Sequence, residues 1–196
     1  MQMKLSKEGL NLIKKWEGFR AMAYKCIPSE TYYTIGYGHY GADVYRGMVI
    51  TEDQAEALLL KDCDKFVAHV NSYQGIYNFN QNEFDALVSF AYNVGNIRQL
   101  TQRGTRPKND IPVFMPQYCK AGGVTLKGLV NRRNDEVALF KKPVGDNSKN
   151  LKDNNAIALE VIQGKWGNGN ARKQRLTEAG YNYRTIQNIV NTMLKV

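Results

Sequence analysis

The feature of this sequence that most restricts its fold is that strand-forming composition is confined to one short stretch. Residues 24–41 are rich in tyrosine and threonine and contain Pro28 and three glycines, which predicts a hairpin or three short antiparallel strands. Within this stretch, TIGYGHYG at 34–41 satisfies the Gly-x-Gly-x-x-Gly pattern of dinucleotide-binding proteins. That pattern needs a βαβ unit, and no second parallel strand is predicted. We therefore assign the glycines to a sharply turning hairpin.

Amphipathic helices account for most of the remaining chain up to residue 140. A first helix is marked by Leu10, Ile13 and Trp16, which share one face. Two later helices begin with capping-box sequences, which are Thr51 with Gln54 and Asn80 with Glu83. A further helix is predicted for LKGLVNRRNDEVALF, residues 126–140. The fold class is therefore predicted to be mainly α with a small β-hairpin lobe.

Charge and cysteine content limit the partners and cofactors. The 196 residues carry a net charge of +9, which suits nucleic acid, an anionic membrane or an acidic cell-wall polymer. Because no helix-turn-helix, zinc or RNA-binding signature is present, we do not expect nucleic acid as a partner. Cys26, Cys63 and Cys119 are too widely spaced for a metal pair, and we expect no metal or organic cofactor. Residues 1–19 contain no apolar run typical of a signal peptide or membrane span, so we expect synthesis in a cytoplasm and no stable membrane insertion.

A polar segment is expected to divide the chain into two domains. Residues 143–154 have the composition of a linker, with almost no apolar side chain. We expect one domain at 1–142 and a small three-helix module at 155–196. From Asn147 onward, eight Lys and Arg against three Asp and Glu leave a net charge of +5. A small basic module on a linker is typical of a segment that holds an anionic ligand.

Glu17 is the candidate for acid–base chemistry in the opening segment. It ends the first helix, next to Gly18 and between Trp16 and Phe19. A carboxyl held against aromatic surface has its charged form disfavoured, so it can stay protonated and donate a proton to a leaving oxygen. The alternative is an ordinary glutamate at a helix end in a surface salt bridge. Residue types alone do not decide between the two.

Several motifs follow one another along residues 6–140, and they are EGFRAMAYKC, TIGYGH, ITEDQAEALLLKD, FNQNEFDALVSFAYNVGN and AGGVTLKGLVNRRNDEVALF. In this order they resemble the phage-type lysozymes, the endolysins of glycoside hydrolase family 24. The resemblance implies an α+β lysozyme-like fold with a cleft between the hairpin lobe and the helical body. It implies Glu17 as the general acid, Thr34 as the residue that orients the attacking water, and Cys26 at a position that is Asp in many relatives.

The same resemblance implies roles for several other side chains. Tyr40, Tyr92 and Asn93 match positions that line the saccharide cleft, although core packing is an equal alternative for Tyr92. His39 is expected to be structural and to tie the hairpin to the helical body.

The sequence departs from the family pattern around the second catalytic position. The segment IPSETYY, between Cys26 and Thr34, is two residues longer than expected, which makes Thr31 a rival for the threonine role. With Cys in place of Asp, the motif lacks its second carboxylate. Three alternatives remain: a partial thiolate at Cys26, a carboxylate supplied by Glu30, or water positioned by Thr34 alone with an inverting outcome. The tryptophan expected before AGG is also absent, and the loop at 98–116 does not follow the family pattern.

Residues 158–191 have a second resemblance. The run VIQGKWGNG, followed by RKQRLTEAGYNY, resembles the CW-seven class of cell-wall-binding repeats, three-helix units that bind the muropeptide part of peptidoglycan. The residue types suit that ligand, and the candidates are Trp166, Asn168, Arg172, Arg175 and Gln187. Asparagine and glutamine can bond amides, and arginine can hold carboxylates. For Trp166, packing in the core of the small bundle is the alternative.

Together these features predict a monomeric muramidase that hydrolyses the β-1,4 bond between N-acetylmuramic acid and N-acetylglucosamine. Its partners would be peptidoglycan glycan strands and muropeptides. The resemblance to endolysins implies that the chain waits in the bacterial host cytoplasm and acts on the wall after release. Two alternatives are a catalytically impaired wall-binding protein and a lytic transglycosylase that uses the same Glu17.

Overall fold

The computed structural model describes residues 2–144 and 153–194. The chain divides into two compact units, and the first ends at Val144. Each unit is described here by itself. Residues 145–152, which form most of the expected linker at 143–154, lie outside the described residues.

The first unit is mainly helical, as the sequence predicts. Its helices are α1 (Lys7–Glu17), α2 (Glu52–Asn71), α3 (Gln74–Tyr77), α4 (Gln81–Val94), α5 (Ile111–Phe114) and α6 (Lys127–Lys141). Its strands are β1 (Arg20–Tyr24), β2 (Tyr33–Gly36), β3 (His39–Gly41), β4 (Lys120–Ala121) and β5 (Val124–Thr125). Short 3-10 turns occur at Gln102–Gly104, Lys108–Asp110 and Met115–Gln117. The predicted fold class, mainly α with a small β lobe, is confirmed.

Local capping explains where the long helices begin and end. Thr51 and Asn80 each close a reciprocal capping box with the residue three positions later, as predicted. Gly18 follows α1 with φ of 72°, and Gly95 follows α4 with φ of 100°. These left-handed conformations are easily accessible only to glycine, so both helices end where the sequence predicts.

The predicted hairpin lobe is a three-stranded antiparallel sheet in the order β1-β2-β3. Thr34 pairs with Tyr24 on one side and with Tyr40 on the other. Gly36 has φ of 66°, and a Cβ there would lie 2.9 Å from the Cβ of Ala55 in α2. The glycine therefore permits close packing of the hairpin against α2. No βαβ unit occurs in the described residues, and the glycines build a turn.

The core of the first unit surrounds α4. This helix packs against α1, α2 and α6, and its residues from Asn82 to Ala91 are all buried. Phe84, Leu87 and Phe90 are fully buried, and each contributes about 1.5–3 kcal/mol by removing apolar surface from water. Buried α4 therefore fixes the positions of α1 and α6, which carry the charged groups described below.

The second unit contains three helices, α7 (Asn154–Ile162), α8 (Gly169–Glu178) and α9 (Tyr183–Met193). Its small core consists of Ile157, Ala158, Val161, Leu176, Ile186 and Val190. Trp166, Tyr181, Tyr183, Ile189 and Met193 are partly buried against this core. The predicted three-helix module is therefore present in the described residues.

Candidate functional site

The carboxylate of Glu17 lies at the junction of α1 and α6. Glu17 is the last residue of α1, and its side chain is 23% exposed. Arg132 of α6 donates from Nη1 to Glu17 Oε1 over 2.7 Å. The side chain of Arg132 is only 4% exposed, so this ion pair differs from the surface salt bridge considered above. Among the described residues, this guanidinium is the only hydrogen-bond partner of the Glu17 carboxylate, and neither sequence interpretation identified it.

Arg132 is itself held by a buried polar network. Its Nε donates to Glu136 Oε1 at 3.2 Å, and the hydroxyl of Ser89 donates to the same oxygen at 2.8 Å. Arg133 adds a third contact, from Nη2 to Glu136 Oε1 at 3.0 Å. Burial raises the pKa of Glu136, and the two guanidinium groups oppose that effect. Charges therefore alternate from Glu17 through Arg132 and Glu136 to Arg133, which fixes the Arg132 side chain.

The other carboxylate oxygen of Glu17 faces the hairpin turn. A Cβ placed on Gly38, whose φ is 95°, would lie 3.9 Å from Glu17 Oε2 and 3.9 Å from the Tyr92 hydroxyl. The backbone at Gly38 therefore approaches the Glu17 carboxylate closely, and glycine keeps this space open.

Tyr92 packs in the core and also borders a cavity, and its saccharide contacts stay a prediction. Its hydroxyl donates to the carbonyl of Tyr37 at 3.3 Å, and its ring lies 5.4 Å from that of Phe66. Burial, and next the charge of Glu17, raise the pKa of Tyr92, so the phenol stays protonated. The side chain also borders a cavity of about 350 Å³, which Gly38, Tyr40, Asp62, Lys65 and Phe66 line with it.

Tyr40 and Asn93 lie on the surface near this cavity. Tyr40 is 47% exposed, and its hydroxyl accepts a hydrogen bond from the backbone N–H of Tyr32 at 3.2 Å. Asn93 is exposed near the end of α4, next to Tyr92. Both side chains are accessible to a ligand, and their saccharide contacts stay a prediction.

Thr34 and Cys26 lie on the hairpin lobe. Thr34 is buried in β2, and no described residue hydrogen-bonds to its hydroxyl. Its rival, Thr31, is exposed in a bend outside the strands. Cys26 is exposed two residues beyond β1. The catalytic roles of Thr34 and Cys26 stay predictions.

Glu30 lies directly beside Cys26. Its Oε2 accepts a hydrogen bond from the backbone N–H of Cys26 at 2.8 Å, and its carbonyl accepts one from Lys25 Nζ at 2.7 Å. Burial raises the pKa of the nearby Tyr24, with smaller contributions that include Cys26 and Glu30. A carboxylate is therefore present next to the position where the motif has lost one.

His39 has the structural role expected of it. Its Nδ1 lies 2.9 Å from Asp62 Oδ2 on α2, and its Nε2 lies 3.1 Å from Asp43 Oδ2. Burial opposes charge on the imidazole, but the hydrogen bonds to the two carboxylates outweigh it and raise the pKa of His39. This contact ties β3 to α2.

In the second unit, Arg172 brings together two of the other predicted binding residues. It donates to Asn168 Oδ1 at 2.9 Å, to Gln187 Oε1 at 3.2 Å and to the carbonyl of Gly167 at 2.8 Å. Arg175 is exposed, and its Nη1 lies 3.3 Å from where a Cβ of Gly167 would be. These four side chains therefore lie close to the turn between α7 and α8.

Trp166 packs inside the second unit. Its Nε1 donates to Glu160 Oε2 at 3.0 Å, and its ring meets Tyr181 edge-on with centroids 5.8 Å apart. This is the packing interpretation considered above, and wall binding by Trp166 stays a prediction. A cavity of about 480 Å³ lies nearby between α8 and α9, and the cavity residues that sequence reasoning missed include Lys173, Tyr183 and Arg184.

The described part of the chain has neither a cluster of metal ligands nor a membrane-spanning helix. No three His, Cys, Asp or Glu side chains there lie close enough together to hold a metal ion. No helix in residues 2–144 or 153–194 is long and apolar enough to span a bilayer.

Known proteins share both the sequence and the fold. Residues 14–136 match the family model for phage lysozyme, and residues 155–194 match that for the CW_7 repeat. The chain is 42% identical over 192 residues to an endolysin of Lactococcus phage c2, a match that covers 95% of this chain and 82% of that relative.

Two solved structures have folds similar to that of this chain. The endolysin from Escherichia coli O157:H7 phage FAHEc1 has a TM-score of 0.61 and 36% identity, and covers 78% of this chain and 99% of that one. The muramidase domain of SpmX from Asticaccaulis excentricus has a TM-score of 0.59 and 30% identity, and covers 71% and 99%. The chain therefore belongs to the phage lysozyme family and carries a CW_7 repeat.

Proposed function

We propose that this chain is a lysozyme that hydrolyses the β-1,4 bond between N-acetylmuramic acid and N-acetylglucosamine, with Glu17 as the general acid. The observation that carries the assignment of Glu17 is the difference between its two carboxyl oxygens. Oε1 is bound by Arg132, whereas Oε2 faces Gly38 and Tyr92 at the hairpin turn. A glycosidic oxygen bound there would meet the free oxygen of a carboxyl whose orientation is fixed.

Arg132 and Tyr92 would support the proton transfer. When protonated Glu17 gives its proton to the leaving oxygen, a carboxylate remains, and the guanidinium stabilises it by a charge-assisted hydrogen bond. The phenol of Tyr92 donates to the carbonyl of Tyr37 at the same turn, which helps to hold the backbone beside Glu17. The guanidinium of Arg132, which would stabilise this carboxylate, is held in place by the buried Glu136.

Water attack is the second half of the proposed reaction. The Thr34 hydroxyl has no hydrogen-bond partner among the described residues, so it is available to bind and orient a water molecule. We propose that Thr34 positions this water and that the product has inverted configuration. Glu30, held beside Cys26, is the carboxylate that would take the proton if Thr34 alone does not suffice.

The second unit would hold the enzyme on its substrate. We keep residues 1–142, 143–154 and 155–196 as the proposed catalytic domain, linker and wall-binding module. Asn168, Arg172, Arg175 and Gln187 form the proposed muropeptide surface, in which Arg172 orders two amides and Arg175 offers an exposed charge. Tethering raises the local concentration of the catalytic domain at the wall without requiring dimerisation, so we propose a monomer.

The test is to digest isolated peptidoglycan with the wild type, with Glu17→Gln and with the matched control Glu8→Gln. Glu8 lies on the same helix but bonds Lys142 on the exposed side. Mass spectrometry should find reducing N-acetylmuramic acid ends from the wild type and the control, and none from Glu17→Gln. Anhydro ends would instead identify a transglycosylase. No product from the wild type, with the protein still bound to the wall, would identify a binding protein.

A further inference from the structure

Arg106 has a buried guanidinium group whose charge is not paired within the described part of the chain. The residue is 8% exposed, and its Nε and Nη1 are buried without a hydrogen-bond partner. Its Cζ lies 3.5 Å from the centroid of the Phe114 ring, but a ring face leaves the N–H donors unsatisfied. No ion pair within residues 2–144 and 153–194 includes Arg106. Because buried charges in folded proteins are normally paired, an anion from outside the chain would complete this group.

One loop carries Arg106 together with two exposed arginines, Arg98 and Arg103. The N–H of Arg103 donates to the carbonyl of Arg98 at 2.7 Å, and the N–H of Arg106 donates to the carbonyl of Thr101 at 3.1 Å. The hydroxyl of Tyr77 donates to the carbonyl of Arg106 at 2.9 Å, which fixes the loop to α3. The backbone therefore holds the three arginines in one compact loop, in a segment that does not follow the family pattern.

Arg98 and Arg103 line a cavity of about 640 Å³, within the range of roughly 300–1,000 Å³ that is common for ligand sites. None of its described lining residues is Asp or Glu, and within the described ranges no hydrogen bond or ion pair occupies either guanidinium group. Tyr118 also lines the cavity, and burial raises the pKa of Tyr118 while the charge of Arg106 opposes that rise. Three positive charges therefore act on one concave site, which favours an anion.

A phosphate group suits this site better than a single carboxylate. Each guanidinium group can bind an oxyanion through two parallel hydrogen bonds, so two arginines can use more than the two oxygens of a carboxylate. A phosphate monoester has three acceptor oxygens and a charge of about −1.5 to −2, which compensates more of the charge of three arginines. Asn96, Gln99 and Gln102 also line the cavity, and their amide groups add N–H donors for further oxygens.

We propose that the loop around Arg98, Arg103 and Arg106 is a phosphate-binding site. Arg98 and Arg103 hold the phosphate oxygens in the cavity, and the negative charge compensates the buried Arg106. The site belongs to the first unit, shares no residue with the proposed saccharide cleft, and takes a ligand that is not part of the glycan strand. It makes the stability of the first unit depend on phosphate, because a ligand that binds only the folded state stabilises that state.

The test measures urea unfolding of the full chain by the fluorescence of Trp16, in a Trp166→Phe background that removes the other tryptophan. The solutions contain either inorganic phosphate or chloride at the same ionic strength. Phosphate at about ten times its dissociation constant should lower the unfolding constant about elevenfold. In calorimetry, the double variant Arg98→Gln/Arg103→Gln should bind inorganic phosphate at least about tenfold more weakly than the wild type. The charge-matched control Lys7→Gln/Arg46→Gln, whose positions are exposed and outside the cavity, should match the wild type.

Arg106→Met tests the buried charge directly. Methionine keeps an apolar contact with Phe114 and removes the charge, so in chloride the variant should be no less stable than the wild type. At the same phosphate concentration, the elevenfold effect should fall below about threefold. An equal loss of stability in phosphate and in chloride would mean that Arg106 only packs on Phe114, which would overturn its part in the site. If Arg106→Met does not fold, the double variant of the two exposed arginines decides alone.

Two further ligands separate the chemistry of the anion from its source. Succinate carries two carboxylates, and stabilisation by succinate equal to that by phosphate would overturn the assignment to phosphate. A soluble poly(glycerol phosphate) supplies phosphodiesters: if it binds more tightly per phosphate than inorganic phosphate does, and the double variant weakens it, the ligand is a phosphate polymer. Tighter binding of inorganic phosphate would identify a free phosphate group as the ligand. Equal stabilisation of the wild type and the double variant by both forms would overturn the site.

Discussion

Removing Arg132 should release the carboxylate of Glu17, the proposed general acid, from its contact with α6. The side chain of Arg132 is 4% exposed and bridges Glu17 and Glu136. In Arg132→Gln, Glu17 loses its ion-pair partner among the described residues, whereas the fully buried Glu136 keeps Arg133 and Ser89. Removing one partner of a buried ion pair costs about 3–5 kcal/mol, and we expect the lower end because Glu17 is partly exposed. Typical domains have about 5–15 kcal/mol of stability, so the variant should remain folded.

The contribution of the Glu17–Arg132 pair to the free energy of unfolding can be isolated by a double-mutant cycle of Glu17→Gln and Arg132→Gln. The chain contains two tryptophans, one in each unit, so a Trp166→Phe background makes the fluorescence of Trp16 report on the first unit alone. Urea titrations of the four proteins should give a coupling of about 1–3 kcal/mol, as for residues in direct contact. A coupling within about 0.5 kcal/mol of zero would refute the reasoning.

A matched control lies on the same two helices. Lys15 of α1 pairs with Asp135 of α6 at 2.6 Å, but the two side chains are 60% and 34% exposed. Lys15→Gln should therefore cost less than about 1 kcal/mol. In activity assays, Arg132→Gln should lower kcat about 10- to 100-fold with little change in KM, because the proposed acid Glu17 is displaced while the proposed saccharide-binding residues are unchanged. A loss confined to KM would contradict this role.

Three further predictions concern the hairpin and the core. The stabilisation from His39, measured as the difference in unfolding free energy from His39→Gln, should be largest between about pH 3.8 and 6.5 and should shrink above that range, because the folded-state pKa of the imidazole is raised and that of its partner Asp43 is lowered. Gly38→Ala should lower kcat/KM and cost about 1–3 kcal/mol in urea titrations, since φ at this position is 95°. Phe90→Ala should cost about 3–5 kcal/mol by the same measurement, because the ring is fully buried.

Each of these predictions has a contradicting result. A stability difference for His39 that grows above pH 6.5 would mean that the neutral imidazole makes the better contact. An alanine at residue 38 with wild-type activity would show that the turn does not border the reacting atoms. A loss below about 1 kcal/mol for Phe90→Ala would mean that the core around α4 closes the cavity by rearrangement.

Local features of the fold were predictable because short-range chemistry determines them. Thr51 and Asn80 cap their helices through residues three positions away, and Gly18 and Gly95 end helices through their own backbone conformation. The hairpin followed from one tyrosine- and glycine-rich stretch. In each case, the residues that decide the structure are neighbours in sequence.

The polar network around Glu17 was not predictable in the same way. Glu17 and Arg132 are separated by 115 positions, and their contact depends on how α1 and α6 pack around α4. In the sequence NRRNDE, Arg132 cannot be told apart from a charged residue on the solvent-exposed face of a helix. Its burial is visible only in the structure. As a residue type, tryptophan suits ligand stacking and core packing equally well. Only the structure shows that Trp166 packs against Tyr181 and bonds Glu160.

The loop at Gln102 and Arg103 shows a third limit of prediction from sequence. Two successive non-glycine residues, Gln102 and Arg103, adopt a left-handed backbone against their intrinsic preference. The surrounding structure enforces this conformation, and no residue type in the loop signals it.

The central claim is that Glu17 donates the proton to the leaving oxygen. The most direct measurement compares the wild type with Glu17→Gln on peptidoglycan and on a dinitrophenyl glycoside of the same saccharide, whose leaving group needs no proton. The account predicts a loss of at least about 100-fold on peptidoglycan and less than about tenfold on the activated glycoside. Equal losses on both substrates would contradict the assignment of Glu17 as the acid.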